Sequence, residues 1–417
     1  MSVNERTEVL VVGAGPTGLT LAAALARLGV RTRVIDRGAG RTDKSKAIGV
    51  QAGSLEALGD FFGDELSDKM VAAGFSAREF FAEFGQRESL RIDLSQIPSR
   101  FNFILVLPQS YTEQFLEDEL AKSALAVQWR KELVSVEQNG STVTARLHDA
   151  TGQAEVLECD FVVGCDGAHS TVRHQAGIPF AGSAYEGNFV LGDVVLRWPW
   201  PYNAGRALIS ERGIVGCFPM PGERGAYRLI VAAKGPVETA SPDISPEEFC
   251  ALLARLVETP IEISRFVWLT RFRLHHRIAR RFASGRVYLA GDAAHIHSPV
   301  GGQGMNTGIL EALNLGSKLA AVLRHGAPLD VLDRYEQERL PIARDILRGT
   351  DIAFQFALSN NRLMAGLRPM LLPRILGTRW IQRRLATAIS QVAAARREIR
   401  ERHRLLGDLK TASSRAD

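Results

Sequence analysis

The feature that most constrains this chain is Gly13-Ala14-Gly15-Pro16-Thr17-Gly18, which follows a short apolar run (residues 8–12) and opens an Ala/Leu-rich stretch (residues 19–28). Beyond it, residues 32–36 alternate like a second strand. Strand, glycine turn, helix and strand form a βαβ unit, the context in which a GxGxxG pattern has physical meaning. The first glycine permits a tight turn, the second lets the backbone approach a diphosphate, and the third lets helix and strand pack closely. Backbone N–H groups and the positive end of the helix dipole then face the phosphates. Asp36, 18 residues beyond Gly18, is placed to accept a hydrogen bond from a ribose 2′-hydroxyl. The motif reads as dinucleotide-binding and does not separate FAD from NAD.

The remaining pattern is mixed α/β. Residues 54–62 are helix-periodic, 75–106 carry Phe-rich alternating segments, 115–125 are helical, and 127–137 with 141–148 form a hairpin about Asn139-Gly140. Between about 180 and 280 come short strand-like pieces (189–196, 207–210, 213–218, 227–232, 263–272) divided by Pro and Gly turns, with one helix near 246–257. This reads as an inserted sheet-bearing domain. A further strand at 286–290 leads into a glycine loop, a helix through Leu323 and helices almost to the end, with a solvated tail of about a dozen residues.

Composition excludes several classes. At 417 residues, 46% hydrophobic and 23% charged, the chain fits a soluble protein of one or two domains. The net charge of +5 has no nucleic-acid recognition motif beside it, so no nucleic-acid partner is expected, and anionic ligands are the simpler use of the Arg-rich stretches at 271–286 and 394–404. Cys159, Cys165, Cys217 and Cys250 form no CxxC pair and no metal-ligand cluster. Reduced thiols and an N-terminus without a signal core give a cytoplasmic expectation. No run reaches the roughly 18 apolar residues of a spanning helix. The nearest, 363–377, is broken by two arginines and two prolines, and reads as helices covering an active site or touching a membrane surface, without stable insertion.

Two later motifs add what the first leaves open. Cys165-Asp166-Gly167-Ala168-His169-Ser170-Thr171-Val172-Arg173 follows an apolar strand, and Gly291-Asp292 follows the strand at 286–290. The latter continues through His295, His297, Pro299, Gly301, Gly302, Gly304, Met305 and Asn306. In this order and spacing the three motifs resemble the FAD-dependent aromatic hydroxylases of the para-hydroxybenzoate hydroxylase class, the group A flavoprotein monooxygenases, over residues 7 to 350.

The resemblance implies an α/β fold: a GR2-type Rossmann-like FAD-binding domain (1–75, 105–178 and 280–350), an inserted β-sheet substrate domain (76–104 and 179–279), a C-terminal helical segment (351–405) and a tail (406–417). Gly13, Gly15, Pro16, Thr17 and Gly18, with Asp36 and Arg37, would hold the ADP half of FAD. Gln109 would contact the flavin's linker, and the backbone of Val134 would meet adenine. Asp292 would bind the ribitol and diphosphate region. The loop from Pro299 to Asn306, with Pro299, Gly301 and Gly302 nearest, would lie beside the flavin ring. A glycine-rich loop at a helix N-terminus also suits the negative charge of reduced flavin without crowding the ring. Asp166 and Arg173 belong to the motif that the family uses for both FAD and the nicotinamide cofactor. His295 and His297 read as packing or loop hydrogen bonding, and no metal is expected.

Three departures stand out: Lys46, a cofactor-binding candidate that would keep a positive charge near the diphosphate without the bidentate fork of the family's usual Arg, Gly53 where the family often has Arg, and Glu311 where Asp is usual. The chain also ends where many relatives continue into a thioredoxin-like domain, so it is expected to match the shorter two-domain members, as a monomer or homodimer. The implied reaction is NADPH- or NADH-dependent hydroxylation of an aromatic small molecule, with phenolic and polyketide-like compounds as the candidate classes, through a flavin C4a-hydroperoxide formed with O2. Arg206, Tyr227 and His275 are the polar candidates for substrate contact. The alternatives are a flavin-dependent halogenase, which Trp198-Pro199-Trp200-Pro201 superficially resembles, an isoprenoid reductase, and a flavin-binding protein without turnover.

Overall fold

Val9, Leu10 and Val11 are fully buried, as a strand becomes only inside a sheet covered on both faces. In the computed structural model, which describes residues 5–42, 47–84, 88–235, 241–298, 300–358 and 378–413, that strand, Glu5–Val12, lies parallel to Thr32–Asp36 on one side and Ala154–Gly164 on the other. Ala154–Gly164 in turn runs parallel to Val287–Leu289. Register aligns Val12 with Gly164 and Gly164 with Leu289. The three glycine-bearing motifs begin just past these residues, so parallel pairing brings all three loops out at one edge. Ligands of open α/β sheets bind at the carboxyl ends of such strands.

Helix Pro16–Arg27 packs against helix Gly304–His325, both nearly all buried. The hairpin expected about Asn139-Gly140 forms from Glu132–Asn139 and Thr142–His148, with Gly140 at φ +63°. The helix expected from residue 115 begins earlier, at Gln109.

A second sheet has seven strands in the order Glu262–Phe272, Asn188–Arg197, Ala226–Ala233, Gly213–Pro219, Gly205–Ser210, Glu79–Phe84 and Glu88–Asp93. Its two faces differ. Val190, Val215, Cys217, Tyr227 and Leu229 pack on Phe249 and Leu253 of helix Pro246–Leu256, whose start carries a Ser245–Glu248 capping box. The opposite face meets the first part of the molecule: Phe218 packs with Ile48 and Val106, and Phe189 with Phe354 of helix Asp333–Leu358.

Helix Val392–Ser413 returns to the first sheet's helices, and helix Arg379–Ser390 before it lies against strand Glu88–Asp93 of the second sheet, where Gln382 donates to Arg91 O at 2.6 Å and accepts from Asp93 N at 3.1 Å. Arg396 forms two bonds of 2.9 and 3.0 Å to Glu56, and Asn314 donates to Glu398 at 2.5 Å. Among the described residues no helix is long and apolar enough to cross a membrane; residues 363–377 lie outside them.

Candidate active site

The three motif glycines have three different surroundings. Gly13 has φ +104°, and a Cβ there would lie 2.3 Å from the Cys165 carbonyl oxygen. A Cβ on Gly18 would lie 1.9 Å from the Gly13 oxygen. A Cβ on Gly15 would meet nothing within 4 Å. The outer two are therefore bound by the protein's own packing, and the middle one faces open space at a helix N-terminus, a cradle shaped for a diphosphate. Pro16 occupies the first helical turn, where its missing N–H is harmless. Thr17 is wedged between two more glycines: a Cβ on Gly291 or Gly308 would fall 2.5 or 2.2 Å from its Oγ1.

Asp36 stands at the same edge. Its carboxylate accepts the N–H groups of Ala14 at 2.8 Å and Gly38 at 2.7 Å, which fixes it against the glycine loop. Arg37 is exposed beside it, and Val134 is exposed on its strand. Gln109 opens its helix, its N–H bonded to Ala47 O at 3.1 Å, and its Nε2 donates to Glu113 Oε1 at 2.8 Å. Lys46 and Pro299 lie outside the described residues.

The second motif is a structural clamp in this geometry. Asp166 accepts from Ser170 Oγ at 2.5 Å and Val172 N at 3.1 Å, and burial pushes its carboxyl up from the usual range. Arg173 donates to Ala293 O at 2.8 Å and Ala168 O at 3.0 Å and lies over the Phe180 ring at 3.9 Å. It thereby ties the second motif to the third.

In the third motif Asp292 is exposed beside buried Gly291 and Ala293. Glu311, fully buried, accepts Gly291 N at 2.9 Å on one oxygen and faces His295 Nε2 at 2.8 Å on the other. Burial works against both charges. For Glu311 the His295 charge and hydrogen bond, Arg339 and the Gly291 N–H outweigh it and hold the carboxyl below its usual value; for His295 the Glu311 contacts hold the ring above its own. His295 stacks on Phe282, and His297 lies parallel to it at 6.1 Å with Nδ1 2.9 Å from Ser298 O. Burial, aided by the His295 charge, pushes His297 down to about 4, so it is neutral near pH 7. His297 thus makes a loop hydrogen bond, while His295 pairs with Glu311 of the following helix.

Gly301 and Gly302 have φ of +79° and +60°, a left-handed pair that leads into the helix opening at Gly304. Asn306 and Gln51 pin this loop. Gln51 Nε2 donates to Gly301 O at 2.6 Å and its N–H to Asn306 Oδ1 at 2.8 Å, while Asn306 Nδ2 donates to Gly302 O at 2.7 Å and Gly49 O at 2.8 Å. Met305 packs against the core. From the C-terminal helices Gln391, at φ +55°, donates to Thr307 Oγ1 at 3.1 Å. A Cβ at Gly53 would lie 2.5 Å from Gln391 O, so this junction fills the place where a family arginine would extend.

Sequence reasoning missed Gln51, Gln391 and the His295–Glu311 pairing. A polar residue just before a helical run was the available signal for Gln51. Gln391 carried none, because its contact spans 84 residues.

The three substrate candidates are not brought together. Tyr227 is buried on the face covered by helix Pro246–Leu256, where its hydroxyl accepts from Trp198 Nε1 at 3.1 Å. Arg206 is buried on that same face, bonded to Glu83 at 2.7 Å beneath Phe81 and Trp200. Both therefore pack the far side of the sheet, as does the Trp198–Trp200 pair, with ring centroids 5.1 Å apart. His275 lies elsewhere, in strand His275–Ala279, lowered by partial burial and by Arg277, His169 and Arg273. On the face toward the glycine loops the prominent polar pair is Arg228 and Asp193, bonded twice at 2.6 and 2.5 Å with Trp268 alongside. Glu338, Glu398 and Glu401 form an acidic cluster, but Lys318 Nζ already lies 2.7 Å from Glu338.

A family model described as FAD binding domain matches residues 6–350. The chain belongs to that family. It is 35% identical to 6-methylpretetramide 4-monooxygenase of Streptomyces rimosus over 91% of this chain and 67% of that one. It is 32% identical to pentachlorophenol 4-monooxygenase of Sphingobium chlorophenolicum, over 85% of this chain and 65% of that one. Among solved structures it is similar to the OxyS anhydrotetracycline hydroxylase of Streptomyces rimosus, with TM-score 0.76 and 34% identity over 92% of this chain and 76% of that one. It also resembles p-nitrophenol 4-monooxygenase PnpA of Pseudomonas putida, with TM-score 0.82 and 25% identity over 93% and 98%. It is thus an FAD-dependent monooxygenase of the aromatic hydroxylase class. The open cradle at Gly15 and the donor-rich loop at Gly301–Gly304 fit that cofactor.

Proposed function

We propose that this chain is an NAD(P)H-dependent hydroxylase of an aromatic small molecule of the phenolic or polyketide type. The observation that carries the reading is the emergence of three separated motifs at one sheet edge, facing the inner face of a second sheet. The names of relatives, for 6-methylpretetramide, anhydrotetracycline and pentachlorophenol, support the substrate class. The GR2-type division into FAD-binding (1–75, 105–178, 280–350) and substrate (76–104, 179–279) parts is supported by Glu79–Phe84 and Glu88–Asp93 joining the second sheet.

When bound, FAD would supply the redox chemistry, namely hydride acceptance from NAD(P)H and activation of O2 for transfer of one oxygen atom. The protein's share is binding, orientation and exclusion of water. Gly15 would seat the diphosphate on a turn that Gly13 and Gly18 allow to form, Asp36 would hold the ribose, and Asp292 the ribitol region. Gln51 and Asn306 hold the Gly301–Gly302 turn so that its N–H groups and the following helix N-terminus meet the flavin ring. The basic stretch around His275 and Arg277, near His169, suits the phosphates of a transiently docked nicotinamide cofactor. The substrate would lie on the inner sheet face near Arg228 and Asp193.

The test is consumption of NADH and NADPH by the FAD-loaded protein across a panel of phenols and polycyclic aromatics. At least one aromatic is expected to raise the rate severalfold, independently of halide. Flavin that neither nucleotide reduces under any ligand condition would instead support the binding protein without turnover.

A further inference from the structure

Glu113 is a buried carboxyl to which none of the proposed chemistry gives a role. It sits one helical turn beyond Gln109, 4% exposed, in helix Gln109–Ala121. Burial pushes its carboxyl up, against the opposing pull of Gln109 and Arg41, and the Asp36 and Glu117 charges push it further. Arg41 is itself engaged by Glu117 at 2.9 Å and lies 3.4 Å from Ser110 O. Asp36 marks the site of the adenosine ribose, so a dinucleotide seated at Gly15 would bring two phosphate charges into a neighbourhood that already holds these carboxylates. A buried carboxylate among like charges resolves the conflict by taking a proton.

The hydrogen bond to Gln109 gives that proton a consequence. An ionised carboxylate only accepts, so with Glu113 charged the Gln109 amide must turn its NH2 inward, as in the 2.8 Å bond from Nε2 to Glu113 Oε1. That bond keeps the nitrogen on the Glu113 side and leaves the carbonyl oxygen and a single N–H for a ligand, whereas a diphosphate is met best by the whole NH2. A protonated Glu113 can donate to that oxygen instead, which rotates the amide and frees its NH2. We propose that Glu113 is a proton-linked positioning residue: FAD binding draws one proton from solvent onto its carboxyl, and the neutral acid turns the Gln109 amide so that its NH2 meets the diphosphate. This rests on Gln109 standing at the cofactor, and the experiment separates the two.

Among the described residues, the groups that act on Glu113 are Gln109 and Glu117 on its own helix, Asp36 on the second strand and Arg41 on the loop after it. By linkage, a ligand that favours the protonated form binds more weakly as pH rises between the free and bound values of the group, by up to tenfold per unit. FAD affinity of the apoprotein is measured by flavin fluorescence between pH 5 and 9, for the wild type, Glu113→Gln and Gln109→Ala. The wild-type Kd is expected to rise with pH in part of that range. Glu113→Gln, neutral at every pH and able to donate to Gln109, is expected to stay flat at the wild type's low-pH affinity. Parallel profiles for these two proteins, sloping or flat, overturn the proposal. If Glu113→Gln does not fold, calorimetry of wild-type FAD binding in two buffers of different ionisation enthalpy decides: uptake approaching one proton supports the proposal and no uptake overturns it. Gln109→Ala with wild-type affinity and pH profile would remove Gln109 from the cofactor site, whatever Glu113 does.

Discussion

Gly15 and Gly18 share a motif and differ in what a methyl group would meet. At Gly18 it would lie 1.9 Å from a backbone oxygen; at Gly15, with φ −74°, it would enter open space. Gly18→Ala is therefore expected to destabilise the apoprotein by about 3 kcal/mol in urea unfolding. Gly15→Ala should leave stability within about 1 kcal/mol and weaken FAD at least about tenfold in a fluorescence titration. Equal effects of the two on stability would contradict the assignment. Glu311→Ala strands buried His295 and the Gly291 N–H, and is expected to lower stability by about 3–5 kcal/mol. The sign with pH follows from the shifts. Glu311, lowered, contributes fully above its unfolded value of 4.5 and loses this as pH falls through its folded value; His295, raised, contributes fully below 6.5 and loses it as pH rises through its own. Unfolding curves should show the gap between wild type and variant widest from pH 4.5 to 6.5, and a pH-independent gap would contradict the pairing. The placement of the glycines and Asp36 at one edge was legible because a strand, a tight turn and a helix start are local signals. The direction of Arg206 and Tyr227 was not, because polar and aromatic residues in a strand do not say which of two covered faces they join.

At the scale of elements, periodicity recovered the βαβ unit, the hairpin and most strands of the second sheet, since alternation and turn residues are local signals. What it could not supply was docking between distant elements. Gly53 is intelligible only through Gln391, 338 residues away along the chain. Helix Ala52–Phe62 must lie flush against the junction of the last two helices, and the Arg396–Glu56 bonds fix it there. Restoring the family's residue with Gly53→Arg is accordingly expected to push those helices off, at a cost of about 3 kcal/mol, and to expose residues 378–413 to limited proteolysis. A digestion pattern and stability like the wild type's would mean that the junction does not bear on Gly53.

Across the whole molecule, parallel pairing turns three motifs spaced over nearly 300 residues into one site, with Arg173 and Thr17 joining the loops and a second sheet facing them. The motifs were readable singly; their meeting depends on the register of Val12, Gly164 and Leu289, which only the fold supplies. That architecture is suited to holding FAD beside an aromatic ring away from water, and the claim it makes is about the fate of one oxygen atom. The direct measurement is hydroxylation under 18O2 by the FAD-loaded protein with NAD(P)H and whichever aromatic raises nucleotide consumption. The account predicts one 18O atom in each molecule of hydroxylated product, and oxygenated product without label in every case would contradict it.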